Sequence, residues 1–315
     1  MDFGVPHLIG SQFASHVAEA RDHYAAKAPM RGPQSFDEVR TARSRRHGDA
    51  PAADPAAVPM IAEAAGREVP VRVLRPTGSH PVGVYLDIHG GGFYMDSAVR
   101  SDSRNREIAD SLGVSVVSVD YRLAPENPWP AAPDDCETAA RWLVDEAEKL
   151  FGTTRLVIGG ASAGATLAMT TLLRLRDRGM STEFAGAALQ FGTYDLSATT
   201  PAGKLIADEY FLEAYVGHVA DRAVGDISPV FADLHNLPAT LLVVGEHDIL
   251  LEDNLVMAAR LAAAGNDIGL RIYPVSPHGF TSHPTAIAAT ARADIEAWIA
   301  GRLTGRRAPR DAAPV

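Results

Sequence analysis

The residues that could do chemistry begin with Ser162. It sits in Gly160-Ala161-Ser162-Ala163-Gly164, after the apolar run Leu156-Val157-Ile158 and before a helix-forming stretch that runs to about Arg178. Strand, sharp turn and helix is the context that a G-x-S-x-G pattern requires. The turn strains the serine backbone and pushes its hydroxyl out at the end of the sheet. Side chains two residues to either side would collide with the neighbouring strand and helix, and glycine at 160 and 164 removes that clash. The first amides of the following helix favour negative charge as it develops. An ordinary glycine-rich loop is the plain alternative. Chance supplies the pattern in about 0.12 chains of this composition, so other residues must complete a site.

A serine hydroxyl is a poor nucleophile until a base takes its proton, and histidine has the pKa for that task. Of 11 histidines, His278 falls in the loop between the last strand and the last helix, followed by Gly279. His283, five residues on, is its rival. The imidazolium needs an anionic partner. Asp248 stands just past the Thr240–Val244 strand, Asp195 just past the Ala185–Phe191 strand is the main competitor, and Glu246 and Asp253 are weaker ones. Any of these could instead be a helix cap or a surface charge. A tetrahedral intermediate needs preorganised donors for its oxyanion. His89-Gly90-Gly91-Gly92 offers backbone N–H groups with no Cβ in the way. Chance gives this string in only about 0.007 chains, a stronger signal than the serine pattern. It lacks a following Gly-Lys-Ser/Thr and any G-x-G-x-x-G, which argues against a phosphate loop.

The elements that must position these groups alternate. Strands are expected at 67–74, 82–88, 114–119, 154–158, 185–191, 240–244 and 268–273, and helices at 98–112, 134–150, 163–178, 252–264 and 285–303. This rhythm implies a mostly parallel sheet with helices on both faces, and ligands at the C-terminal strand ends, where Ser162 and the His89 glycine run both fall. Before it, residues 1–65 read as a helical segment, with helices at 11–27 and 35–45 and breaks at Ala28–Pro33 and Ala50–Pro55. Between about 199 and 222 the rhythm breaks again for an insertion with one helix at 204–219 carrying Tyr210, Phe211 and Tyr215. Both segments are expected to cover the site as lids. Residues 304–315 are expected to be disordered.

Composition narrows the classes. Lys+Arg 29 against Asp+Glu 39 gives a formal charge of −10, which disfavours nucleic acid or an anionic membrane as the main partner. The single cysteine, Cys136, permits no intrachain disulfide. With no signal-peptide pattern and no long apolar run, a cytoplasmic protein without a membrane span is expected.

Taken together the motifs resemble the hormone-sensitive-lipase-like esterases of the α/β-hydrolase superfamily over about residues 65–303. The carriers are HGGGF at His89–Phe93, YRLAPE at Tyr121–Glu126, the elbow at Gly160–Gly164, SPxxADL at Ser228–Leu234, GxxD at Gly245–Asp248 and HGF at His278–Phe280. The order Ser162, Asp248, His278 is that of the α/β-hydrolase fold. The resemblance implies an eight-stranded, mostly parallel sheet as a catalytic domain over 66–303, with a helical cap built from residues 1–65 and the insertion after the sixth strand. It implies oxyanion donors on Gly91, Gly92 and Ala163, a structural His89, and loop-bracing roles for Arg122 and Glu126. The chain departs from the family at Ala161, where Asp or Thr is usual, at Ala165 for Gly and at Ile249 for Pro.

The expected function is a serine carboxylesterase acting on small-acyl esters through an acyl-enzyme, with no metal or organic cofactor. Location alone suggests Phe93, Tyr94, Tyr210, Phe211 and Phe280 for the substrate pocket. A lactone or amide hydrolase or an acyltransferase would use the same machinery, a non-catalytic receptor on the fold would not keep all three groups, and a homodimer stays open.

Overall fold

Apolar runs and alternating segments become the strands of one eight-stranded sheet in the computed structural model, which describes residues 13–26, 32–48, 53–78 and 80–305. The strands are β1 (Val58–Ala64), β2 (Arg67–Leu74), β3 (Val84–Ile88), β4 (Ser115–Val119), β5 (Leu156–Ala161), β6 (Phe184–Gln190), β7 (Thr240–Gly245) and β8 (Ile268–Tyr273), in the order β1-β2-β4-β3-β5-β6-β7-β8. The pairs of β1 with β2 and of β2 with β4 are antiparallel and the rest are parallel. Strands β4 and β7 are buried throughout, as parallel strands covered on both faces must be.

The helices are α1 (Ala14–Ala25), α2 (Phe36–Gly48), α3 (Asp102–Leu112), α4 (Ala131–Phe151), α5 (Ala163–Asp177), α6 (Pro201–Lys204), α7 (Tyr210–Val216), α8 (Leu251–Ala263) and α9 (Ala286–Thr304). One core cluster joins the sheet to α4, α5, α7 and α8; the other joins its opposite face to α1, α3 and α9. Glu19 of α1 caps α9 by accepting the amide of Ala286, and Phe13 stacks edge-on to Tyr273. No helix of the described residues is long and apolar enough to cross a membrane.

Two sequence expectations change. Residues 58–64 belong to the sheet, not to the N-terminal helical segment: β1 folds back on β2 through Ala65 and Gly66, both at positive φ (52° and 73°). That is the mirror-image turn a tight hairpin needs. The single helix expected over 204–219 shrinks to α7 (Tyr210–Val216), and a separate short helix, α6 (Pro201–Lys204), precedes it. Thr200 caps α6 by accepting from the Gly203 amide. Glu209 is extended, and α7 is then held by tertiary contacts: the Tyr215 ring stacks on Phe93 at 4.0 Å and the Tyr215 carbonyl accepts from the Trp129 amide. The expected break at 28–31, the start of the 50–55 break and the tail beyond 305 lie outside the described residues.

The chain first runs outward from β3 to β4, then crosses to β5 on the other side of β3. This reversal places the ends of β3 and β5 side by side, with Ile88 opposite Gly160, where open α/β sheets bind ligands. The two strand ends touch through Gly164. A Cβ there would collide with the backbone carbonyls of Ile88 and His89, and one on Gly160 would lie 2.5 Å from the Ile88 oxygen. Backbone cannot yield as a flexible side chain can, so Gly164→Ala is expected to destabilise the fold by about 3 kcal/mol. A urea-unfolding midpoint would check this.

Candidate active site

Ser162 is the residue between β5 and α5, with φ 55° and ψ −123°, a region that costs a non-glycine residue energy. The strain is held from both sides: the Ser162 amide donates to the Gln190 carbonyl on β6, and the Ser162 carbonyl accepts from Ala165 and Thr166. The side chain is thereby turned away from the sheet.

The ends of β7 and β8 supply its neighbours. His278 Nε2 lies 2.9 Å from Ser162 Oγ, and His278 Nδ1 lies 3.1 and 3.0 Å from the two carboxylate oxygens of Asp248. A carboxylate only accepts, so Nδ1 carries the proton and Nε2 is left to accept from the serine hydroxyl. The Asp248 side chain is fully buried, whereas that of His278 is 38% exposed. Asp248 also accepts the Leu250 amide. Phe191, at the end of β6, meets the His278 ring edge to face at 5.1 Å. Nothing in the sequence singled out Phe191, because its place depends on a positive φ of 41°.

The competing acids lie elsewhere. Burial pushes the Asp195 carboxyl up, but hydrogen bonds from the hydroxyls and amides of Ser197 and Thr200 outweigh it and hold the group below its usual range. Asp195 thus closes a turn and caps the entry to α6. Glu246 accepts the Val275 amide. Asp253 accepts the Tyr194 and Asp195 amides, and burial raises its carboxyl to about 6. His283 faces Tyr24 of α1, its Nδ1 3.2 Å from the phenol oxygen.

Three amides converge on the same end of the sheet. Those of Gly91, Gly92 and Ala163 have no hydrogen-bond acceptor among the described residues. Their directions are set through the planarity of the peptide, in which C=O and N–H point opposite ways. The Gly90 carbonyl, which shares a plane with the Gly91 amide, accepts from His89 Nδ1 at 2.8 Å. The Gly91 carbonyl, sharing a plane with the Gly92 amide, accepts from Tyr94 and Met95 at 3.2 and 2.8 Å. The Ser162 carbonyl is tied into the first turn of α5, which sends the Ala163 amide outward. Gly91 and Gly92 have φ of 110° and 59°, open to glycine at no cost.

His89 is buried and stacked on Tyr121 at 4.1 Å. Burial pushes its pKa down, partly offset by the bond to Gly90, so it is a neutral ring that organises the glycine loop. Arg122 grips Asp135 of α4 through Nη2 and Nε, and Glu126 pairs with Arg43 of α2. In the SPxxADL segment, Ser228 accepts the Leu196 amide and donates to the Arg222 carbonyl.

The residues suggested for the pocket divide. Phe93 and Phe280 are 1% and 0% exposed; they are packing residues, stacked on Tyr215 and lying against Tyr273, and offer no surface to a substrate. Tyr94, Tyr210 and Phe211 remain by the site. A Cβ on Gly92 would sit 3.4 Å from both Phe211 and the Tyr94 ring, and Tyr94 and Tyr210 have ring centroids 6.3 Å apart. Among the described residues, no group of three or more His, Cys, Asp or Glu could hold a metal ion.

Fold and site together define an α/β hydrolase. Residues 85–282 match the family described as alpha/beta hydrolase fold. The carboxylesterase NlhH of Mycobacterium tuberculosis is 33% identical over 248 residues, covering 72% of this chain and 75% of that protein. An ethyl acetate hydrolase of Pseudomonas putida is 32% identical over 68% of this chain and 72% of its own. Among solved structures, a bacterial heroin esterase superposes with a TM-score of 0.80 at 27% identity, over 93% of this chain and 99% of that one. A hormone-sensitive lipase from a metagenome library gives 0.74 at 29% identity, over 93% and 97%. The chain belongs to the α/β-hydrolase-fold family, in its hormone-sensitive-lipase-like esterase group, and is an enzyme of the carboxylic ester hydrolase class.

The raised carboxyl of Asp253 makes a pH prediction. Its folded pKa of about 6 lies above that of a carboxyl in the unfolded chain, so its contribution to stability is full below about pH 4 and is lost as pH rises through about 6. Asparagine would still accept the two amides without ionising. The unfolding free energy of Asp253→Asn relative to the unsubstituted protein should therefore rise by up to about 3 kcal/mol between pH 4 and pH 7. Thermal melts at the two pH values measure it.

Proposed function

We propose that the protein hydrolyses small-acyl carboxylic esters through an acyl-enzyme formed on Ser162. The observation that carries this reading is the chain Ser162 Oγ, His278, Asp248, with hydrogen-bond distances of 2.9, 3.0 and 3.1 Å, facing three amides that have no acceptor among the described residues.

His278 Nε2 takes the hydroxyl proton as Ser162 Oγ bonds to the ester carbonyl carbon. The negative charge that forms on the carbonyl oxygen is held by the amides of Gly91, Gly92 and Ala163. Asp248 keeps the proton on Nδ1 and stabilises the imidazolium. His278 then returns a proton to the leaving alkoxide as the C–O bond breaks and the alcohol departs. Water, deprotonated by the same nitrogen, attacks the acyl-enzyme; collapse restores Ser162 and releases the acid. No step asks for a metal or organic cofactor.

The N-terminal helices α1 and α2 and the 199–222 insertion serve as the cap. Helix α2 docks on the loop that follows Gly92 through Arg43, and α7 brings Phe211 against Gly92. The closeness of Phe211 and Tyr94 to Gly92 leaves little room beside the oxyanion position, which favours short and medium acyl chains.

Ser162→Ala should lower ester turnover by at least about 10⁴-fold with the fold unchanged. Full activity in that variant would end the mechanism. Asp248→Asn should cost about 10⁴-fold while Asp195→Asn costs far less; equal losses in two folded variants would reassign the acid. Turnover of p-nitrophenyl esters of increasing chain length, set beside lactone and amide substrates, measures the acyl preference and separates the ester reading from its relatives.

A further inference from the structure

Helix α2 reaches the oxyanion loop through one side chain. Arg43 Nε donates to the Tyr94 carbonyl at 2.7 Å, Nη2 to the Ala124 carbonyl at 2.5 Å and Nη1 to Glu126 Oε1 at 2.7 Å. Its side chain is one-quarter exposed, so these bonds are shielded on most sides. The planar guanidinium holds two carbonyls and a carboxylate at fixed angles, which a lysine ammonium cannot do.

The Tyr94 carbonyl belongs to the loop that must stay in place, and the Ala124 carbonyl to a second segment bonded to that loop. Phe93 and Asp96 both have positive φ, 63° and 71°, and such residues persist only when their surroundings hold them. The Ala124 amide donates to the Phe93 carbonyl at 3.0 Å, so Ala124 receives from α2 on one side and gives to the loop on the other. The Tyr94 carbonyl is the start of a relay. It shares a peptide plane with the Met95 amide, which donates to the Gly91 carbonyl at 2.8 Å. The Gly91 carbonyl shares a plane with the Gly92 amide. Two hydrogen bonds and two rigid planes therefore connect Arg43 to the Gly92 N–H, and such chains polarise one another in a low-dielectric setting.

We propose that Arg43 is a positioning residue for the oxyanion hole: the docked α2 helix, acting through the Tyr94–Met95 and Gly91–Gly92 peptide planes, aims the Gly92 amide, so the N-terminal cap segment sets the rate of the chemical step as well as covering the substrate. This rests on the oxyanion role given to Gly92 above. A clip that only fastened the helix would act on stability or on substrate entry. A relay acts on the tetrahedral intermediate and the transition states that flank it, where the oxyanion charge develops.

The test compares Arg43→Ala, Arg43→Lys and Arg46→Ala. Arg46 lies on the same helix and pairs with Asp96 but takes no part in the relay, so its loss loosens the docking without touching the carbonyls of Tyr94 and Ala124. With p-nitrophenyl acetate, Arg43→Ala should lower kcat about tenfold, less than the 10²–10³ typical of deleting a donor outright, with KM within about twofold. Its affinity for an aryl trifluoromethyl ketone, whose serine adduct places an oxyanion in the hole, should fall by the same factor. Arg43→Lys should remain folded through its pairing with Glu126 and lose most of the same kcat, and Arg46→Ala should keep kcat within about twofold.

A change in KM alone with ketone affinity intact, or no change, would overturn the proposal. So would an equal kcat loss in Arg46→Ala. If Arg43→Ala does not fold, Arg43→Lys decides by the same criteria. Turnover persisting in Ser162→Ala would instead overturn the esterase mechanism, a result read independently of these variants.

Discussion

The backbone of Gly164 lies so close to the carbonyls of Ile88 and His89 that no side chain fits between them. That contact welds the first turn of α5 to the end of β3. The meeting of the serine elbow with the glycine loop follows from the weld. The elbow at Ser162 and the glycine loop at 90–92 sit on adjacent parallel strands at the one place where the strand order reverses, so a hydroxyl from one and amides from the other meet over the same edge. The positive φ of Ser162 is the cost of turning a strand into a helix within one residue, and it is sustained because hydrogen bonds to β6 and within α5 hold the serine at both its amide and its carbonyl.

Preorganisation here is a matter of peptide planes. Each of the three amides proposed to hold the oxyanion shares its plane with a carbonyl that is already bound: Gly90 by His89, Gly91 by Tyr94 and Met95, Ser162 by Ala165 and Thr166. The donors need not reorganise as charge develops. The motifs outside the triad are the outer supports of this arrangement. Tyr121 backs His89, Arg122 ties its loop to α4, Glu126 receives α2 and Ser228 closes the chain after β6. His278 is steadied likewise, by the buried Asp248 and by the edge of Phe191.

Much of this was legible in the chain because it is encoded in local pattern. A β-branched run that stops in glycines is a strand ending in a close approach, and the spacing of Gly160 and Gly164 around Ser162 states the steric problem it solves. The strands at 67–74 and 268–273 fall where the pattern placed them. Other features were not local. Strand β1 alternates only weakly and carries Pro59, so its pairing with β2 was hidden. The 204–219 stretch has helical composition, yet Tyr215 is claimed by Phe93 and Thr200 starts a separate turn. Phe93 and Phe280 sit beside site residues in sequence but point into the core, because the residue next to a functional one faces wherever the backbone turns it.

The sequence by itself determined the alternation of strands and helices, the elbow and the glycine loop, since each depends on residue types within a few positions of one another. It left Asp248 and Asp195 as competitors, because each follows a strand and sequence separation says nothing of distance. Only the tertiary structure separates them: β7 lies next to β8, so the carboxylate at its end meets His278, whereas Asp195 is enclosed by the amides and hydroxyls of Ser197 and Thr200. The link from Arg43 to Tyr94 and Ala124 is of the same kind. It joins segments remote in the chain, and packing alone brings a guanidinium to carbonyls that every residue possesses.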